Sequence, residues 1–248
     1  MFAIYKKELR SYFINAVGYV YVGVFLAISA FLLCYTTLGA GSYNTGEYFT
    51  YLLLSFIVLI PLLTMKLFAE EKKLRTEQLL LTAPVSIWGM VLGKFFAAAT
   101  LFIGSVLVSC LNFIPLYSYA YSERLADSYG EIRIGPATGE IIACVVGVIL
   151  IGLAFIAIGM FISSLTENQL AAAVVTIVVI LIMLVLDLVK GYIDITAVQF
   201  VINWVCILSR FGNFTQGLLD YAAILYYVSI AGVFLLLTAR VYDKRRWG

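Results

Sequence analysis

Long uncharged runs dominate the chain. Residues 11–46, 48–65, 78–93, 95–122, 141–166, 168–186, 195–209 and 221–239 each contain no Asp, Glu, Lys or Arg. About 20 apolar residues in a helix cross the ~30 Å hydrocarbon core of a bilayer. Six of the runs hold such a length and predict spans at 17–38, 48–68, 95–119, 141–165, 169–186 and 221–239. The run 78–93 is broken by Pro84 and Gly89 and reads as an interfacial turn leading into the third span. The run 195–209 is interrupted by Gln199 and Asn203, and its length suits a re-entrant or interfacial external helix better than a crossing. The expected fold class is therefore an all-α integral membrane protein with six transmembrane helices, seven being the alternative.

Before the first span, Phe2, Tyr5, Leu9, Tyr12 and Phe13 fall within about a 100° arc of a helix. Lys6, Lys7, Arg10 and Ser11 fill the other side. That pattern predicts an interfacial helix over residues 1–14, aromatic face in the lipid bilayer and basic face toward anionic headgroups. The first apolar region is much longer than the ~7–15 residues of a signal-peptide core, so the N-terminus is expected to be retained.

Composition removes other classes. A soluble domain carries about 45–50% apolar and about 25% charged residues. This chain is 63% hydrophobic and 12% charged, which excludes a soluble enzyme and a disordered chain alike. A net charge of +2 without a concentrated basic face gives no reason to expect nucleic acid as a partner. There is no histidine, and Cys34, Cys110, Cys144 and Cys206 stand singly in apolar runs, so neither a zinc site nor a disulfide framework has a pattern behind it. Charge asymmetry orients the spans. With both termini cytoplasmic, the inner loops and ends carry Lys6, Lys7, Arg10, Lys66, Lys72, Lys73, Arg75, Lys94, Arg240, Lys244, Arg245 and Arg246, against Arg124, Arg133, Lys190 and Arg210 outside. That distribution obeys the positive-inside rule and predicts a multi-pass membrane protein with both termini cytoplasmic.

The link between spans two and three, residues 69–84, is the most distinctive segment. Glu70, Glu71, Lys72, Lys73, Arg75 and Glu77 crowd together and run into Leu79, Leu80 and Leu81 before Pro84 disfavours helix at Ala83. A charged helix with an apolar tip facing the cytosol is the form of a docking element, the alternative from composition being a solvated charged face that lies on the membrane. Small residues at Gly23/Ala27 and Ser105/Ser109, with Gly152, Gly159 and Ser163 along the fourth span, predict close helix packing.

Phe68-Ala-Glu-Glu-Lys-Lys followed by Thr76-Glu-Gln-Leu-Leu-Leu-Thr-Ala-Pro84 resembles the coupling segment of type-2 ABC exporter permeases, in particular the gliding-motility GldF-like branch. Val91-Leu-Gly-Lys94, Ala157–Gln169, Arg210–Asp220 and the basic Lys244–Trp247 ending resemble the same proteins in the same order. The resemblance implies an ABC permease subunit without its own ATPase, moving a substrate or transmitting ATP-driven motion. It implies two separate ATP-binding subunits that hold ATP and magnesium, a second permease copy or homologue, and a GldG-like auxiliary membrane protein with an extracytoplasmic domain. No cofactor is expected in this chain itself. In the type-2 fold, residues 1–14 would be an elbow helix, 69–84 the coupling helix and 195–209 the external helix.

The coupling interface would comprise Glu70, Glu71, Lys72, Lys73, Arg75, Glu77, Leu79, Leu80 and Leu81, with Ser163, Ser164, Glu167 and Asn168 from the turn between spans four and five. The permease–permease interface would use Gly23, Ala27, Ala171, Ala172 and Ala173. Where the family pattern has Gly-Thr, this chain has Arg75-Thr76, which leaves the coupling helix free to continue. The external loop 120–139 matches no pattern. Gly89-Met-Val-Leu-Gly-Lys-Phe95 is not a phosphate loop: it has three residues between its glycines instead of four and Phe95 in place of Ser or Thr. An ATP-independent secondary transporter is the alternative, weakened by the lack of ionisable groups near mid-membrane. A membrane-embedded enzyme lacks any catalytic constellation.

Overall fold

The computed structural model describes residues 1–39, 41, 43–76, 86–126, 135–189 and 206–247, and among these all regular structure is helical. In chain order the helices are α1 (Phe2–Ile14), α2 (Val17–Leu33, continued by a π-helical turn, Cys34–Leu38), α3 (Gly46–Thr64), α4 (Ala69–Lys73), α5 (Ile87–Ser109), α6 (Phe113–Ala126), α7 (Thr138–Leu165), α8 (Gln169–Val189), α9 (Leu208–Thr215) and α10 (Tyr221–Trp247). Six of the resulting segments are long and apolar enough to cross a membrane: Val17–Leu38, Gly46–Lys73, Ile87–Ala120, Thr138–Leu165, Gln169–Asp187 and Tyr221–Arg246.

The largest departures from the expected span ends are in the third and sixth spans. The third span starts at Ile87, not Phe95, because Ser86 caps the helix by accepting a hydrogen bond from the Gly89 amide at 3.1 Å. The sixth continues through the basic Lys244–Arg246, where positive charge suits a helix C-terminus. The third span is also broken. Pro115 has no N–H to reach the Leu111 carbonyl, and the helix passes through a 3₁₀ turn at Cys110–Asn112 before resuming as α6. At that break the Asn112 Nδ2 donates to Ser29 Oγ of α2 at 2.9 Å, giving the one amide in the interior of this span a partner.

Helix α7 is the centre of the bundle and touches α3, α5, α8, α9 and α10. Its approach to two neighbours depends on glycine. A Cβ on Gly152 would lie 2.1 Å from the Phe102 ring, and one on Gly159 would lie 2.4 Å from Thr64 Oγ1. α2 and α8 lie at the edge, with 28% and 22% of their most apolar windows buried against 67% for α7.

Of the expected 195–209 helix, residues 195–205 lie outside the described residues; the helix seen here, α9, begins only at Leu208 and runs on to Thr215. Its Phe211 and Phe214 are buried against α7. Asp220 caps α10, accepting from the Ala222 amide at 2.9 Å and from Asn213 Nδ2 at 3.0 Å, and these bonds hold its carboxyl below the usual carboxylate range.

Candidate functional site

At the end of the bundle that carries both termini, five helices converge on residues 65–72. α1 reaches this point by packing on α2 and α5. Its inward face is centred on Glu8, flanked by Ile4 and Tyr12, and not on the aromatic arc. Tyr12 is buried and donates from its hydroxyl to the Leu63 carbonyl of α3 at 3.0 Å. That burial, with the nearby Glu8 carboxylate adding to it, pushes the phenol well above its ordinary pKa, so it remains a donor. Tyr5 shares a hydrogen bond with Thr100 of α5 at 3.1 Å. The aromatic stripe therefore divides: Tyr12 packs into the bundle, Tyr5 and Leu9 are half-buried, and Phe2 and Phe13 are exposed. Lys6, Lys7 and Arg10 are exposed on the other side.

The chain leaves α3 through the turn Met65–Phe68 and re-enters helix at Ala69. Phe68 at the start of α4 supplies no side-chain cap. Ser163 of α7 takes that role from across the bundle, its Oγ accepting from the Phe68 and Ala69 amides at 3.2 and 3.1 Å while donating to the Met65 carbonyl at 3.3 Å. The Lys72 ammonium donates to the Ser164 carbonyl. The Phe68 ring lies 4.7 Å from that of Tyr242 on α10, and the Arg245 guanidinium sits over Tyr242.

Lys94 is the hub. It stands in α5 and is 1% exposed. Its ammonium donates to Glu8 Oε1 at 3.0 Å and to the Leu67 carbonyl at 2.7 Å, and lies 2.9 Å from Glu71 Oε1. The contact with Glu71 is ionic and not a directed hydrogen bond. The Phe68 ring faces the ammonium at 5.0 Å. Lys7 closes the cluster from the exposed side, 3.5 Å from Glu71 and 3.7 Å from Glu8. Two carboxylates, each 13% exposed, thus share one buried cation and one exposed cation, so the group is close to neutral and can be buried.

α4 ends after Lys73. Arg75 takes a left-handed conformation at φ 55°, the Thr76 amide donates back to the Glu71 carbonyl at 2.9 Å and the Arg75 amide to the Lys72 carbonyl at 3.0 Å. This is a Schellman closure, so the helix does not continue through the arginine.

Of the residues expected to face partner ATPases, Lys73 and Arg75 are exposed, as are Glu167 and Asn168. Glu70 is half-buried beside Glu8 and Tyr12. Glu71, Lys72, Ser163 and Ser164 are engaged within the chain. Glu77, Leu79, Leu80 and Leu81 lie outside the described residues. On the edge helices, Gly23, Ala27 and Ala171 are exposed, Ala173 is half-buried and Ala172 is buried against this chain's own helices. Glu8 and Lys94 were not among the candidates. Two cues pointed to them: Lys94 is the only charge between residues 78 and 122, and Glu8 is the only acidic residue before Glu47.

The cluster joins α1, the α3–α4 turn, α4 and α5 by charge, and joins α7 and α10 by capping and ring contacts. α4 and the turn before it are thus in contact with α1 and with four of the candidate spans. The family model described as ABC-2 family transporter protein matches residues 35–241. No curated protein matches the chain.

Proposed function

The chain belongs to the ABC-2 transporter family, whose members are membrane subunits that work with separate ATP-binding subunits, and from that premise we propose that it is the permease of an ABC exporter. The terminus-bearing end faces the cytoplasm. Two cassette ATPases dock there against Glu70, Lys73, Arg75, Glu167 and Asn168, together with the Glu77–Leu81 segment. A second permease copy or homologue completes the transporter against Gly23, Ala27 and Ala171. The GldF-like motif belongs to this same reading, as does a GldG-like auxiliary protein with an extracytoplasmic domain.

One observation supports the reading above the rest: the segment with the family-like motif is tied at Glu71, Lys72 and Phe68 to α5, α7 and α10. A docking element needs such stiffness, because a push absorbed by a loose loop would not reach the spans. Mild-detergent affinity purification of the chain from its own membrane, followed by mass spectrometry, tests it. A cassette ATPase in near-equal amount is expected. Recovery of the chain alone, even with the ATPase co-expressed, would overturn the proposal in favour of an ATP-independent carrier.

A further inference from the structure

Inside the bundle, away from the charge cluster, the hydroxyls of Tyr21 on α2 and Tyr48 on α3 are buried, and among the described residues neither has a hydrogen-bond partner. Tyr21 faces Ser105 alone. Tyr48 faces Ser109 of α5 and Ser29 of α2. Its ring packs edge-on against Phe49 at 4.9 Å and Phe113 at 5.4 Å, which leaves the hydroxyl little freedom to turn elsewhere. Both serines spend their own protons within their helices. Ser29 donates to the Leu26 carbonyl at 3.0 Å and Ser109 to the Val106 carbonyl at 2.7 Å. Each therefore turns only oxygen lone pairs toward Tyr48, and one pair on Ser29 already accepts from Asn112 Nδ2 at 2.9 Å. A buried hydroxyl left unpaired is costly, and the bilayer interior supplies no bulk water to pair it.

We propose that Tyr48, Ser109 and Ser29 bind an ordered water molecule where α2, α3 and the broken third span meet. The water accepts from the Tyr48 hydroxyl and donates one proton to Ser109 Oγ and the other to Ser29 Oγ. That is the usual complement of partners for a buried water, and every polar atom at the place is then satisfied. The location has a backbone reason as well. The 3₁₀ turn Cys110–Asn112 interrupts the helical ladder directly after Ser109, and ordered water is one of the groups that compensate such breaks within a membrane. Because its three partners come from three separate helices, the water joins α2 and α3 to the third span at the point where that span bends. Tyr21, with one serine before it, offers a water fewer partners, so the assignment is to Tyr48. The site rests on the fold and not on the permease reading.

The test is X-ray radiolytic labelling of the full chain in nanodiscs equilibrated with heavy-oxygen water, read residue by residue by mass spectrometry. Radiolysis turns a bound water into a hydroxyl radical beside the ring, so Tyr48 is expected to gain labelled oxygen despite its burial. Phe56 and Phe102, fully buried in the same core, are the dry references and should stay unlabelled. Ser109→Ala removes one of the acceptors and should lower the labelling of Tyr48 toward those references. Tyr48→Phe separates a hydrated hydroxyl from an orphaned one. Loss of a satisfied hydroxyl should lower the thermal midpoint by about 2–4 °C, whereas loss of an unpaired one would raise it. Tyr48 as unreactive as Phe56 would overturn the site, as would a raised midpoint for Tyr48→Phe. Labelling that Ser109→Ala leaves unchanged would mean bulk water reaching the ring, and would overturn it too. Should Ser109→Ala lose its native elution profile, Ser29→Ala takes its place with the same expected loss of label. No ATPase is needed, so failure here leaves the permease proposal standing.

Discussion

Replacing Lys94 by Met keeps the length and much of the packing of the side chain but removes the buried cation. Glu8 and Glu71, each 13% exposed, then face each other across a site where only Lys7 remains, and Lys7 is 63% exposed. The Leu67 carbonyl loses its donor as well. Removing one partner of a buried ion pair costs about 3–5 kcal/mol, because the charge left behind is neither solvated nor paired. For a chain of this size each kcal/mol moves a thermal midpoint by about 2–4 °C, so Lys94→Met should unfold about 6–20 °C below wild type in the same detergent. The assay is the melting of the size-exclusion peak of the purified chain. The triple variant K94M/E8Q/E71Q removes the stranded charges and should recover at least half of that loss. A midpoint for Lys94→Met within about 2 °C of wild type, or a triple variant no better than the single one, would refute the hub role of the buried cation.

Other sites give contrasting outcomes. Ser163→Ala leaves the Phe68 and Ala69 amides without their acceptor and should cost about 1 kcal/mol, read as faster hydrogen exchange at those two amides. Arg75→Gly relieves a left-handed arginine and should stabilise the end of α4 by about 1 kcal/mol, with slower exchange at Thr76. Gly152→Val meets the Phe102 ring and should prevent recovery of a monodisperse protein, whereas Gly23→Ala, with nothing within 4 Å, should leave the midpoint unchanged. The Asp220 cap has its folded pKa below the unfolded value, so its contribution is fully present above the ordinary carboxylate range and is lost as pH falls through the lowered folded pKa. Asp220→Asn should flatten that acid limb of a stability–pH curve while leaving neutral-pH stability nearly unchanged, since Asn also caps.

The spans were legible in the chain because crossing a bilayer is a one-dimensional requirement. Twenty apolar residues in a row announce themselves without any partner, and six such segments overlap the expected spans, the third and sixth reaching beyond the expected ends. The helix at residues 2–14 was legible for a related reason, since its periodicity is local. Less was legible where one residue answers to another far along the chain. Ser163 looked like a residue of a turn between spans and proved to be the cap of α4, 95 residues away from Phe68. Tyr12 looked like part of a lipid-facing stripe and is buried on α3. Arg75 looked able to extend a helix, yet it closes one.

Lys94 and Glu8 mark the boundary between the two kinds of information. Composition and hydropathy determined that this is a membrane protein with six candidate spans and a charged segment between the second and third, because each of those quantities is a sum over neighbouring residues. Which charge meets which was decided only by the fold. α1, α4 and α5 come from three separate stretches of chain, and a lysine in an apolar helix is tolerable only where packing brings carboxylates to it. The family-like motif marked Glu71 as important, but its partner is not readable from spacing. That partner, Lys94, stands in α5, with Lys7 reaching Glu71 from α1, so both pairings depend on how helices from distant parts of the chain pack together.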